Sequence, residues 1–168
     1  MANTTFSGPV RSESTIKTIS KNATSGTITE VVTFGDGPIS LSDGDVTLTN
    51  ATHSGRILLV QDGSQDNTYT LPAPIAGSMF RFVYAGGAAD ATDALILTPG
   101  NSNFYIGGIT HLDTNADNVT VFSNGSSNSS VQLNVPQAFD ITIVGKDTTN
   151  YQIFGTVTST TVPAFADQ

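Results

Sequence analysis

The stretch Thr68–Gly86, TYTLPAPIAGSMFRFVYAG, sets two prolines and a glycine between runs that read as β-strands. Proline has no N–H for a strand ladder and holds the residue before it extended, so pairing stops there and the chain must turn away. A related pattern recurs at residues 131–147, VQLNVPQAFDITIVGKD. Placing LLVQDGSQDNTYTLPAPIA (58–76) beside TVFSNGSSNSSVQLNVPQA (120–138), at a constant offset of 62, aligns Gly63 with Gly125, Ser64 with Ser126, Leu71 with Leu133, Pro74 with Pro136 and Ala76 with Ala138. Both copies run strand, polar turn, strand, proline break, strand. The expected geometry is a hairpin whose second strand leaves at the proline corner for an opposite sheet. Two copies are too few for a solenoid, which favours two related halves of one sandwich.

Outward from this repeat, apolar runs of strand length alternate with Gly/Asp/Asn turns. Strands are expected near 27–34, 39–41, 46–48, 57–60, 68–71, 79–84, 95–98, 105–109, 119–122, 131–135, 141–144 and 151–158. Short strands at this density predict an all-β, antiparallel β-sandwich, jelly-roll-like, rather than βαβ units. Thr (25) and Ser (17) make up a quarter of the 168 residues, and charged residues only 12%, a mixture that suits strands with neutral polar outer faces. The alanine cluster around Ala88–Ala94 is the one expected short helix, with a loop as the alternative. The domain reading is an extended N-terminal arm over 1–26 and a β-sandwich domain over 27–168.

Charge is unevenly placed. Residues 1–21 carry Arg11, Lys17 and Lys21 against Glu13, a sum of +2, so the other 147 residues sum to -10 of the total -8. An acidic body repels nucleic acid and anionic membrane, whereas a basic arm suits an acidic partner surface. There is no Cys and no Trp. A disulfide framework and Cys-based zinc or redox chemistry are therefore excluded. Residues after Met1 show no secretory leader, and no run approaches the roughly 18 apolar residues of a membrane span, so the chain reads as soluble.

Enzyme chemistry finds no constellation. Asp36, Asp43, Asp45, Asp62, Asp66, Asp90, Asp93 and Asp117 all sit beside Gly, Asn, Ser or Thr, where a carboxylate caps its own turn. His53 and His111, the only imidazoles, have no triad partners in the pattern and read as surface or packed residues. DGDVTLTN and DGSQDN lack the spacing of a helix-loop-helix calcium site, so no metal and no cofactor is expected. Six N-x-S/T triplets follow from composition. Tyr69, Tyr84, Tyr105 and Tyr151 could serve as sugar-stacking platforms, but their strand positions favour packing instead.

The start MANTTFSGPVRSE, the block YTLPAPIAGSMFRFVY, the later YIGGI and the ending NYQIFGTVTSTTVPAFAD resemble small β-rich capsid decoration proteins of tailed bacteriophages, particularly those of marine bacteria. The resemblance covers nearly the whole chain. It implies a non-enzymatic virion protein, commonly a homotrimer, that binds the major capsid protein on the outer capsid surface and coats or reinforces the head lattice. With that role, Arg11, Lys17 and Lys21 become candidate capsid-docking residues. The alternative is a virion fibre or carbohydrate-recognition module contacting the host surface.

Overall fold

A computed structural model describes residues 16–34, 37–87, 92–114 and 117–168. The chain divides into two compact units, Met1–Asp36 and Gly37–Gln168. In the first, β1 (Ile16–Lys21) and β2 (Ile28–Phe34) form an antiparallel two-stranded sheet, with a register shift between Thr18 and Ile19. Asn22 shapes the turn: its side-chain oxygen accepts from the backbone N–H groups of Thr24 and Ser25, and Gly26 follows at φ 71°. The boundary expected at 26/27 thus falls inside this turn, and residues 16–21, read as arm, are a strand.

The second unit contains β3 (Ile39–Ser40), β4 (Val46–Thr47), a one-turn helix α1 (Asn50–His53), β5 (Arg56–Val60), β6 (Asn67–Thr70), β7 (Met79–Tyr84) and β8 (Ala94–Leu97). After these come β9 (Phe104–Asp113), β10 (Val119–Phe122), β11 (Ser130–Leu133), β12 (Ala138–Gly145), β13 (Asn150–Ser159) and β14 (Ala164–Ala166). A seven-stranded sheet, ordered β10-β9-β13-β12-β7-β5-β3, packs on a five-stranded sheet, ordered β14-β11-β8-β6-β4. Every expected strand is present; β1 and β14 are additional. The helix or loop expected near Ala88–Ala94 falls mostly outside the described residues, which omit 88–91; Ala94 opens β8. A one-turn helix stands at Asn50–His53, capped by the Thr49 hydroxyl accepting from Thr52 N–H.

The all-β sandwich is as expected, but it is mixed rather than antiparallel. From β3 to β8 each strand lies in the sheet opposite its predecessor, so β3, β5 and β7 become parallel neighbours, as do β4, β6 and β8. The reason is geometric. Each crossing reverses the chain, and a second crossing restores its direction, so strands two apart in sequence run the same way within one sheet. The six residues 61–66 therefore do not close a hairpin: they span the gap of about 10 Å between packed sheets. The coil that two repeat copies argued against is present in this half. Antiparallel pairs dominate the rest, where β12 lies between β7 and β13 and β11 between β8 and β14, although β9 and β13 run parallel.

The internal repeat survives in this form. Strands β5, β6 and β7 visit the seven-, five- and seven-stranded sheets in turn, and β10, β11 and β12 do the same. The aligned Leu71 and Leu133 are both in the core, and the aligned Pro74 and Pro136 are both buried. The Pro72 corner is held from below: the Tyr151 hydroxyl donates to the Pro72 carbonyl at 2.8 Å.

Alternation of side chains fills the space between the sheets. Phe80 and Phe82 on β7, Phe139, Ile141 and Ile143 on β12, and Tyr151, Ile153 and Val157 on β13 point inward to meet Tyr69, Leu71, Ile96, Val131 and Leu133. Tyr69 packs on Phe82 across the sandwich, with ring centroids 5.8 Å apart. The tyrosines are therefore core residues: Tyr69, Tyr105 and Tyr151 are buried, and Tyr84 lies against Phe139. Burial raises the pKa of the Tyr105 and Tyr151 hydroxyls, with Tyr151 a further cause for Tyr105.

One corner is strained. Val135 has φ 40°, the only non-glycine positive φ among the described residues, and it precedes Pro136, which disfavours that conformation further. Asp93 holds it there by accepting from Val135 N–H at 2.9 Å and from Gln132 Nε2 at 2.7 Å. Val135 is 40% exposed, and Val135→Asn removes β-branched strain at a modest cost in burial. It is expected to raise stability by about 0.5–1 kcal/mol, read as a higher urea midpoint at unchanged m-value.

A candidate interaction surface

The side chains that face away from the core on the seven-stranded sheet are not those of an ordinary solvated face. Register sets them in rows across the strands. One row runs Ile57, Arg81, Thr142, Phe154, Gly108 and Phe122, and the next runs Leu59, Val83, Asp140, Thr156, Thr110 and Thr120. Ile57 is 40% exposed, Met79 38%, Leu112 38%, Phe154 49% and Phe122 69%. They are five of the nine exposed large hydrophobic side chains among the described residues, and all five belong to this one sheet. They are interspersed with Thr side chains and with Arg81 and Asp140, and such a concentration of large apolar side chains on one face, unlike single scattered ones, is the pattern of a contact surface.

Two features shape the middle of the face. A shallow depression of about 430 Å³ is lined by Met79, Arg81, Asp140, Thr142, Phe154, Gly155 and Thr156. Arg81 and Asp140 sit diagonally across β7 and β12, where Arg81 Nε donates to Oδ1 at 2.8 Å and Nη2 to Oδ2. The fork geometry fixes both side chains and leaves the pair electrically neutral. The Arg81 hydrogen bond holds the Asp140 carboxyl below its ordinary pKa range, and the same bond raises that of Arg81.

The other carboxylates behave as turn residues. Asp43 accepts from the Ser64 hydroxyl and N–H, and Asp66 accepts from Asp93 N–H. Asp147 accepts from the Asn150 side chain and from the N–H groups of Thr149 and Asn150, which bring its pKa down to about 2. Asp43 is lowered chiefly by the Ser64 hydroxyl. With folded values depressed, these groups add stability above the unfolded value of about 3.8 and lose it as pH falls toward about 2. The thermal midpoint is accordingly expected to fall between about pH 4 and pH 2, and Asp147→Asn to remove part of that fall, as followed by circular dichroism.

The histidines stand apart from the face and from each other's chemistry. His53 Nδ1 lies 3.0 Å from Thr49 N in the cap of α1. His111 is buried at the end of β9, its Nε2 3.1 Å from the Ser159 carbonyl and 3.0 Å from the Ser159 hydroxyl. Among the described residues no three His, Asp or Glu side chains cluster as metal ligands, and no helix is long and apolar enough to cross a membrane.

Of the docking residues read from the sequence, Arg11 lies outside the described residues. Lys17 and Lys21 are in β1, opposite Thr33 and Ile28 in register. The sequence reading missed the sheet face. A signal was there: IleLeu at 57–58, MetPhe at 79–80 and IlePhe at 153–154 place two large apolar residues in succession within a strand, so one of each pair must point outward. Compared with known proteins, the chain matches no family model and none of the curated proteins.

Proposed function

We propose that this chain is a structural protein of a virion: a homotrimer that binds the major capsid protein on the outer surface of a phage capsid and decorates or reinforces the head lattice. The observation that carries the reading is the concentration of five exposed large apolar side chains on the outer face of the seven-stranded sheet, a surface suited to permanent contact with protein. The sequence resemblance to capsid decoration proteins supplies the setting. Charge division agrees with it. Residues 1–36 hold Arg11, Lys17 and Lys21 against Glu13, Glu30 and Asp36 and sum to zero, so Gly37–Gln168 carries the whole net charge of -8. An acidic unit of this kind disfavours nucleic acid and anionic membranes as partners.

In this reading Arg11, Lys17 and Lys21 dock on an acidic patch of the shell, and symmetry multiplies each weak contact. Replacing all three by Gln is expected to weaken binding to heads that lack the protein by about 3- to 150-fold, since three charge contacts of about 0.2–1 kcal/mol each are lost. Occupancy on the purified particles is the measurement. Density of the intact particle that placed the chain at the tail tip would overturn the reading.

A second reading, a virion fibre or carbohydrate-recognition module, draws on one specific feature. Phe154 borders a shallow depression beside the Arg81–Asp140 fork and the hydroxyls of Thr142 and Thr156, a mixture of ring face and polar groups that suits a sugar. Saturable binding of a neutral oligosaccharide, abolished by Phe154→Ala, would favour it over the first.

A further inference from the structure

The apolar face leaves open which partner covers it, and the charges on it discriminate. Outward positions of β5, β7, β12, β13, β9 and β10 include two charged residues, Arg81 and Asp140, and these neutralise each other. The unit is strongly acidic overall, so copies meet most readily where charge is absent or self-neutralised. The strands of the five-stranded sheet carry no charged residue either, but none of the exposed large hydrophobic side chains stands on them, and this face alone combines neutrality with exposed aromatic rings among the described residues. We infer that the outer face of the seven-stranded sheet is the contact between copies of this chain, with Phe154 and Phe122 as its anchors.

Size agrees. Six strands spaced about 4.8 Å apart span roughly 24 Å, and strands of 6 to 10 residues such as β7, β12 and β13 run about 20–33 Å, so the face offers about 600 Å². Two such faces bury about 1,200 Å² in total, above the roughly 1,000 Å² that a specific interface needs. Aromatic anchors surrounded by Thr hydroxyls also match how binding energy concentrates in an interface. The Arg81–Asp140 fork adds register, because in a symmetric assembly each copy presents the same donor and acceptor to its neighbour. In a cyclic trimer each copy divides this face between its two neighbours, so the three faces together bury about 1,800 Å² around the common axis.

The inference rests on the homo-oligomer of the proposed reading and not on the shell. Its test is therefore made on the free protein. Sedimentation velocity of the full chain at about 50 µM is expected to give a multiple of 17.4 kDa, and Phe154→Glu to return it to 17.4 kDa with an unchanged β-sheet circular dichroism spectrum. Phe122→Lys, on the edge strand β10, is the second variant should Phe154→Glu not fold, and Ile75→Glu, an exposed apolar residue off this face, is the control that should leave the assembly intact. A monomeric wild-type chain, or face variants that associate as the wild type does, overturns the inference. A stable oligomer that fails to occupy heads overturns the capsid reading and leaves this contact standing.

Discussion

A chain shortened to Val162 is expected not to fold cooperatively. The six residues removed, Pro163–Gln168, supply β14, which pairs with β11 at the edge of the five-stranded sheet. Within them Phe165 sets its ring edge-on to the buried Tyr105, with centroids 6.2 Å apart. Gln168 ties the end down: its N–H donates to Asn101 Oδ1 at 3.1 Å and to the Ser129 hydroxyl at 3.0 Å, and its Nε2 donates to the carbonyls of Thr98 at 2.9 Å and Ser129 at 2.8 Å. Asn101 Nδ2 closes the ring by donating to the Gln168 carbonyl at 2.8 Å.

Thr98 and Ser129 are fully buried in the folded chain, and truncation strips them of these hydrogen-bond partners. At about 1 kcal/mol for each net hydrogen bond and about 2 kcal/mol for the Phe165 ring, the loss is about 6–8 kcal/mol. That is comparable with the whole stability of an ordinary domain, about 5–15 kcal/mol. The expected result is a chain without a cooperative thermal transition. Removing Gln168 alone should cost about 2–3 kcal/mol and lower the midpoint by roughly 5–10 °C. A truncated chain that melts within a few degrees of the full one would contradict this account.

How much of this was legible in the sequence depends on which physical signal each feature leaves. Strand positions were legible because the period-two pattern and the turn residues are local: Met79–Tyr84 and Val119–Phe122 occupy the expected residues. Pairing was not, because a period of two says which way a side chain points and not which strand lies beside it. A Gly/Asp-rich segment such as 61–66 looks the same whether it closes a hairpin or crosses to another sheet, and so parallel neighbours were missed. β14 is three residues of Ala, Phe and Ala, too short for alternation to show. The Arg81–Asp140 fork depends on the register of two strands 59 residues apart in sequence, information that no local pattern carries.

The other large effect is expected at Gly145, where a single methyl group should destabilise the sandwich by about 3 kcal/mol or more. The proline corner that opens the repeat ends in the turn Ile75–Ser78, in which Ser78 N–H donates to the Ile75 carbonyl at 2.9 Å. Gly145, the last residue of β12, clasps this turn: Gly77 N–H donates to the Gly145 carbonyl and Gly145 N–H to the Ser78 carbonyl, each at 2.8 Å. A Cβ at Gly145 would stand 2.1 Å from the Ile75 carbonyl oxygen and 2.5 Å from the Ser78 hydroxyl. Backbone on the far side cannot swing aside as a side chain can, so the clasp must open and its two backbone hydrogen bonds must lengthen or break. Gly145→Ala is therefore expected to lower the thermal midpoint by roughly 6–12 °C, measured by calorimetry. Gly77→Ala is a useful contrast, since its Cβ meets nothing within 4 Å and its cost comes only from φ 85°. That cost is about 1 kcal/mol, so a ranking with Gly77→Ala the more damaging would show that turn conformation, rather than close approach of β12, holds the corner.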